Sequence, residues 1–262
     1  MKVYYFTGTG NSRYIAERIC AAAGGGEALS IAEALRGQGG AGTSDIVLSG
    51  DAVGLVFPVY WLCVPAPAIQ FLRRVRIESS YIFAVLNYGG IALTAHDHLL
   101  EIARERGIRL SLLAGCRMPD NFAPWYDLER MNRRFTADKI QAKADRVASR
   151  VAARRKGGTH ATITRPFLYY SKKRAAREAL DFDKRIFRVE AHCTGCGLCA
   201  QACPAGNIRF GTEGGTGPRP VFGGACWCCL ACTNTCPVNA IRCKGEKNKA
   251  RYYNPFVTPI EN

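Results

Sequence analysis

Two continuous apolar runs, Ala52-Val-Gly-Leu-Val-Phe57 and Tyr81-Ile-Phe-Ala-Val-Leu86, read as strands buried on both faces. A third strand opens the chain as Lys2-Val-Tyr-Tyr-Phe6, followed by a tight polar loop, Thr7 to Ser12, and an amphipathic helix, Arg13 to Cys20. Gly24 to Gly26 end that helix, Ala28 to Ile31 make a short strand, and Gly37 to Gly42 make a loop. Beyond Phe57 come Pro58-Val-Tyr-Trp-Leu62, Pro65-Ala-Pro67 and an amphipathic helix, Ala68 to Val75. Beyond Leu86 come Asn87-Tyr-Gly-Gly90, a helix from Leu93 to Arg106 and a fifth strand, Ile108 to Leu113. Strand and helix thus alternate about five times, which predicts an α/β fold with a doubly wound, parallel, five-stranded sheet. In such sheets a ligand sits outside the carboxyl ends of the strands, so the loops after Phe6, Phe57 and Leu86 are the ones to examine.

The periodicity changes after the fifth strand. Met118 to Trp125 reads as a loop, and residues 127–156 as one long helix. Leu128, Met131, Phe135, Ile140, Ala144, Val147 and Val151 fall on its apolar side, and Gly157-Gly158 stops it. Residues 159–190 read as a partly helical connector containing Lys172-Lys-Arg-Ala-Ala-Arg177. The formal charge of +15 is concentrated here. Residues 1–120 hold 11 Lys/Arg against 10 Asp/Glu, residues 121–190 hold 18 against 8, and residues 191–262 hold 7 against 3. A solvated helix face accounts for part of the excess, and a surface that meets an acidic partner is the functional alternative. Nucleic-acid binding is disfavoured, because no recognised module accompanies the charge. No apolar run reaches the length of a membrane span.

The 13 cysteines change the picture most. Eight form two identical runs, Cys193-x2-Cys196-x2-Cys199-x3-Cys203-Pro204 and Cys226-x2-Cys229-x2-Cys232-x3-Cys236-Pro237, offset by 33 residues. The repeat extends past the cysteines, with Ile208 mapping onto Ile241. A disulfide framework would need an oxidising compartment, and no secretory segment is read. Structural zinc would use pairs of cysteines with longer gaps. Thiolates are soft, anionic donors suited to iron–sulfur chemistry. Cys228 lies between two ligands off the spacing, while Cys20, Cys63, Cys116 and Cys243 read as buried thiols. Gly211 to Gly224 form an insertion between the runs, and the aromatic tail from Arg251 is expected to pack back on the protein.

The run from Cys193 to Pro237 resembles that of bacterial ferredoxins with two 4Fe-4S clusters. In those proteins the fourth cysteine of each run ligates the other cluster. The resemblance therefore implies Cys193, Cys196, Cys199 and Cys236 for one cluster, and Cys226, Cys229, Cys232 and Cys203 for the other. The N-terminal loop lacks the Lys of a P-loop and is not a dinucleotide fingerprint. It is similar to the phosphate loop of flavodoxins, with Thr7, Gly8, Thr9, Gly10, Asn11 and Ser12 in the places that bind FMN phosphate. A helix start with hydroxyl donors suits a phosphate dianion. Flavodoxins hold the flavin ring with the next two loops, which here offer Pro58, Val59, Tyr60 and Trp61, then Asn87, Tyr88, Gly89 and Gly90.

The whole chain thus resembles fusions of a flavodoxin-like domain to a two-cluster bacterial ferredoxin, as found in anaerobic bacteria. The expected division is 1–157 for a flavodoxin-like FMN domain, 158–185 for a basic connector, 186–244 for a small α+β ferredoxin domain and 245–262 for a tail. The resemblance implies FMN and two 4Fe-4S clusters in a cytoplasmic electron relay that exchanges electrons with an external redox protein. An FMN-dependent reductase of a small organic acceptor is the alternative. A redox-sensing regulator using the basic region is a third reading. His96, His98, His160 and His192 have no paired motif and read as structural or surface groups.

Overall fold

The computed structural model describes residues 1–37, 46–158, 165–211 and 217–259. His160, most of the Gly37–Gly42 loop, the middle of the Gly211–Gly224 insertion and the end of the tail lie outside these residues. The chain divides into two compact units: 1–7, 11–118 and 137–177 in the first, and 8–10, 119–136 and 178–262 in the second.

The first unit is built on a six-stranded parallel sheet. Its strands are β1 (Lys2–Tyr5), β2 (Glu27–Ser30), β3 (Ala52–Pro58), β4 (Tyr81–Tyr88), β5 (Leu112–Arg117) and β6 (Gly157–Gly158). Their order across the sheet is β2-β1-β3-β4-β5-β6. The first five places follow the flavodoxin-like doubly wound order, and β6 adds a two-residue edge. Tyr5, Val56, Val85 and Ala114 lie in one register across four strands, so the carboxyl ends of β1, β3 and β4 open on the same edge. The two apolar runs form the middle: Val53, Leu55, Val56, Phe57, Phe83, Ala84, Val85 and Leu86 are fully buried. Each such Val, Leu or Phe contributes on the order of 1.5–3 kcal/mol by leaving water. Gly54 has a packing reason, because a Cβ there would stand 2.2 Å from the Phe83 ring.

Helix Asn11–Ala22 packs on helix Ala137–Ala152 through Ile15 and Ile19 on one and Ile140, Ala144, Val147 and Val151 on the other. Arg18 and Asp145 join them by an ion pair of 2.6 Å. A second pair, Ala66–Arg74 and Ala95–Glu105, packs likewise. The long helix expected over 127–156 is two helices, Leu128–Arg134 and Ala137–Ala152. The break has a chemical cause. Phe135 leaves the helical region (φ −109°, ψ 82°), and Thr136 then precedes a first turn carrying Asp138, the pattern of a new helix start. The helix after Pro65 stops at Arg74, because Val75–Glu78 forms a parallel ribbon with Ile46–Ser49. The fifth strand sits at Leu112–Arg117, later than its apolar stretch suggests.

The second unit holds two small antiparallel ribbons, Phe187–Val189 with Ile241–Cys243 and Ile208–Gly211 with Arg219–Phe222. Short helices Leu198–Gln201 and Ala231–Thr235 complete it. One of its apolar clusters gathers Cys199, Ile208, Cys232 and Ile241, flanked by Phe187, Phe210 and Phe222. Ile208 and Ile241, the pair linked by the sequence repeat, meet in this one cluster. Among the described residues, no helix is long and apolar enough to cross a membrane.

Candidate functional site

The three loops at the carboxyl edge of the sheet contain the residues singled out in the sequence. The first is almost closed to solvent: Thr7, Thr9, Asn11 and Ser12 are 5%, 4%, 7% and 0% exposed. Within the first unit, Asn87 at the end of β4 donates from Nδ2 to Ser12 Oγ at 2.7 Å. Val59 N donates to Asn87 O at 2.9 Å, tying the second loop to the third. Within the second unit, Asn121 donates to Thr9 Oγ1 at 3.1 Å, and Asn254 N donates to Thr9 O at 2.9 Å. Two buried hydroxyls therefore each accept from an asparagine amide. Within the first unit, Ser12 Oγ, accepting from Asn87, keeps its own proton to donate, which fits an anion at the start of helix Asn11–Ala22.

The loop after β3 is held in an unusual backbone. Tyr60 and Cys63 exchange hydrogen bonds of 3.0 and 2.8 Å around Trp61 (φ 46°) and Leu62 (φ 64°). This two-residue turn normally takes glycine or asparagine, so Trp and Leu are held against their preference. The restraint comes from the helix behind. Thr94 donates to Leu62 O at 2.7 Å, and Val64 N donates to His98 Nδ1 at 3.3 Å. Burial, helped by Lys172, pushes the His98 pKa down to about 4, so its ring stays neutral and can accept. Tyr60 stands edge-on to Phe6 at 6.3 Å and to Trp61 at 6.2 Å. Tyr88 remains in β4, with its ring 3.0 Å from where a Cβ on Gly115 would lie. Gly89 O accepts from Arg117 Nε at 3.0 Å, which fixes the glycine pair at the edge.

The segment Met118–Trp125, read from sequence only as a loop, supplies a contact that no motif signals. Asn121 Nδ2 donates both to Thr9 Oγ1 and to Cys229 O, each at 3.1 Å. Gly8 lies closer still, since a Cβ on it would be 2.2 Å from Cys229 O. Burial pushes the carboxyl of the neighbouring Asp120 up to about 6, against hydrogen bonds from the Phe122 and Asn121 backbone.

The eight repeated cysteines gather in two sets, and each set draws on both runs. Cys203, Cys226, Cys229 and Cys232 all line one cavity of about 310 Å³ including its open mouth, together with Asn207 and Trp227. Burial first, then the neighbouring thiols Cys229, Cys226 and Cys203, hold the Cys232 pKa far above its ordinary value. Cys199 is raised to about 11 by burial, with Cys236, Cys193 and Cys196 as its thiol neighbours. The repeat is also a repeat of hydrogen bonds: Asn207 N donates to Cys203 Sγ at 3.3 Å, and Ala240 N to Cys236 Sγ at 3.2 Å. Cys228 N donates to Cys226 Sγ at 3.3 Å from a left-handed residue (φ 57°).

Buried thiols that resist ionising need a cationic centre to become thiolates. Among the described residues, no three His, Cys, Asp or Glu side chains converge as they would on a single metal ion. The donors of each set are all sulfur, and that chemistry fits a polynuclear iron–sulfur cluster.

A family model described as a 4Fe-4S binding domain matches residues 186–209, which contain Cys193, Cys196, Cys199 and Cys203. This segment marks the chain as one for iron–sulfur electron transfer. No curated protein matches the chain. Among solved structures, azoreductase AzrA aligns at 13% identity over 58% of this chain and 99% of its own, with a TM-score of 0.38. An azoreductase from Bacillus anthracis str. Sterne aligns at 12% identity over 58% and 98%, with a TM-score of 0.37. The Trp repressor binding protein from Bacillus subtilis aligns at 12% over 57% and 95%, with a TM-score of 0.33.

Proposed function

We propose that the chain is an internal electron relay joining two 4Fe-4S clusters to FMN and exchanging electrons with an external, acidic redox protein in the cytoplasm. The carrying observation is the grouping of the eight cysteines, in which Cys203 lines the cavity of Cys226, Cys229 and Cys232 rather than standing with its own run. On this reading Cys193, Cys196, Cys199 and Cys236 hold one cluster, and Cys203, Cys226, Cys229 and Cys232 the other. Clusters move single electrons and a flavin handles one or two, so together they convert between the two regimes.

The residues of the chain have separable tasks. Thr7, Thr9 and Ser12 offer hydroxyls to the phosphate, with Gly8, Gly10 and Asn11 completing the loop. Asn87 and Asn121 orient those hydroxyls. Pro58 to Trp61 and Tyr88 to Gly90 flank the place of the flavin ring, and the anchored turn at Trp61–Leu62 keeps the aromatics from collapsing into it. A relay needs no proton-transferring pair. His98 is occupied as a structural acceptor, in keeping with that role.

The test uses the full chain under anaerobic conditions, with FMN bound and a low-potential protein donor. Cys196→Ala combined with Cys229→Ala should leave FMN bound yet slow its reduction by the donor at least tenfold. Reduction at the wild-type rate would remove the clusters from the route. Turnover of a small organic acceptor at the reduced flavin would favour a reductase instead.

A further inference from the structure

One carboxylate of the second unit is buried almost completely. Asp183 is 1% exposed, and it precedes both cysteine runs. Its Oδ2 accepts from Asn207 Nδ2 at 2.7 Å and from Gly224 N at 3.0 Å, and its Oδ1 accepts from Lys184 N at 2.9 Å. Asn207, itself 6% exposed, extends the link. Its Oδ1 accepts from Ala225 N at 2.7 Å, next to Cys226, and its own N–H points at Cys203 Sγ at 3.3 Å. The carboxylate therefore sits one residue away from two thiols of the same cavity.

The other cysteine set has a different electrostatic neighbour. The repeat places Ala240 where Asn207 stands, so the backbone bond to Cys236 Sγ persists without an amide to hold a carboxylate. Arg251 lies there instead, donating to Thr233 O at 2.9 Å and Ile241 O at 3.3 Å. It and Arg242 share a single carboxylate, Glu246, which leaves a net positive charge. Arg251 lies beside the thiols Cys243 and Cys236, and Asp183 beside Cys226 and Cys228. Lys184, next to Asp183 in the chain, pairs with Asp181 at 3.4 Å and its side chain is 64% exposed, so water screens it.

We propose that this asymmetry makes the two clusters inequivalent. Asp183 holds the cluster of Cys203, Cys226, Cys229 and Cys232 at the lower reduction potential, and Arg251 holds that of Cys193, Cys196, Cys199 and Cys236 at the higher one. An added electron is repelled by a buried anion and attracted by a cation, and little water intervenes to damp either effect. With one electron in the pair, the lower-potential cluster is oxidised and the higher-potential one reduced, with no bond or proton change. Asp183, Asn207 and Arg251 are positioning and tuning residues, since none is a ligand. The inference rests on the two-cluster reading.

The test is an anaerobic, mediator-poised redox titration of the full chain followed by electron paramagnetic resonance. The wild type should show two resolved midpoints. Asp183→Asn should move the lower one upward and leave the other in place, whereas Asp183→Glu, which keeps the charge, should stay near wild type. Arg251→Gln should move the upper midpoint downward. Where Asp183→Asn loses iron, Arg251→Gln and Asp183→Glu still decide. A wild type whose two clusters titrate together overturns the proposal, as does an Asp183→Asn variant that shifts both midpoints equally or only the upper one. Iron and labile sulfide for one cluster per chain would instead overturn the two-cluster reading beneath it.

Discussion

At Gly8 the backbone of the second unit comes too close to Cys229 for any side chain to fit. A methyl group there would fall 2.2 Å from the Cys229 carbonyl oxygen and 2.9 Å from its Cβ. The listener at the other end is backbone, which cannot rotate away, so Gly8→Ala should cost about 1–3 kcal/mol. A thermal melt should show the loss, and an unchanged midpoint would mean that the loop is not held as described. His98 makes a different kind of demand, through its charge state. Its pKa is lowered from 6.5 to about 4, by burial first. The unfolded chain then binds the proton more readily than the folded one, so the stability that His98 contributes is fully present above about pH 6.5 and is lost as pH falls toward 4. The loss amounts to at most about 3 kcal/mol. Asp120, raised to about 6 by burial, acts in the opposite sense over part of the same window. The informative measurement is therefore the difference between wild type and His98→Asn, whose amide oxygen can still accept from Val64 N. Wild type should lose stability relative to His98→Asn as pH drops from 6.5 to 4, and a constant difference would contradict a buried neutral ring.

At the scale of elements, the cysteine runs show how a repeat becomes a site. Each run ends in a short helix and a proline-bounded turn; Cys203 lines a cavity with Cys226, Cys229 and Cys232, and Cys236 neighbours Cys199. Cys203→Ala should therefore remove the cluster of Cys226, Cys229 and Cys232 and largely spare the other. Iron content with the resonance signature of the surviving cluster checks this, and loss confined to the Cys193 set would reject the crossing. The 4Fe-4S character of residues 186–209 was legible in the sequence, because cysteine spacing is a local property. The central strands were legible for a similar reason, since Ala52–Phe57 and Tyr81–Leu86 are apolar throughout and lie within the observed β3 and β4. Elements whose character depends on distant partners were not. The fifth strand contains Gly115, Cys116 and Arg117, and it is a strand because Leu86, Asn87 and Tyr88 pair with it. The ribbon of Ile46–Ser49 and Val75–Glu78 joins segments far apart in the chain. The same limit applies to the sites. The cysteine spacing and the loop hydroxyls can be read in order, whereas Asn121, Asp183, Asn207 and the His98 acceptor act on residues tens of positions away.

For the whole molecule the governing quantity is charge, and its placement along the chain is uneven. Residues 121–190 hold 18 Lys/Arg against 8 Asp/Glu, while residues 1–120 are nearly balanced at 11 against 10. Helix Ala137–Ala152 turns its apolar side chains inward: Ile140, Ala144, Val147, Ala148 and Val151 are buried, and Arg146 and Arg150 are exposed. In helix Arg165–Ala179 only Ser171 is buried, and Lys173 lies over the exposed Tyr169 ring at 4.7 Å. A folded core does not require such an excess of one sign, and mutual repulsion among the cations opposes compactness. On the proposed reading, steering of an acidic redox partner would give the excess a use, because long-range attraction raises encounter rates and would leave internal electron movement untouched. The expected result is specific. The second-order rate of reduction by an acidic protein donor should fall at least tenfold between low and roughly 0.5 M salt, as the screening length shrinks below about 5 Å. Replacing Arg146, Arg150 and Lys173 together with Gln should lower the low-salt rate and flatten its salt dependence. Reduction by a small uncharged reductant should be unaffected in the same variant. If the variant and the wild type show the same salt slope, the basic stretch is a solvated surface and the partner docks elsewhere.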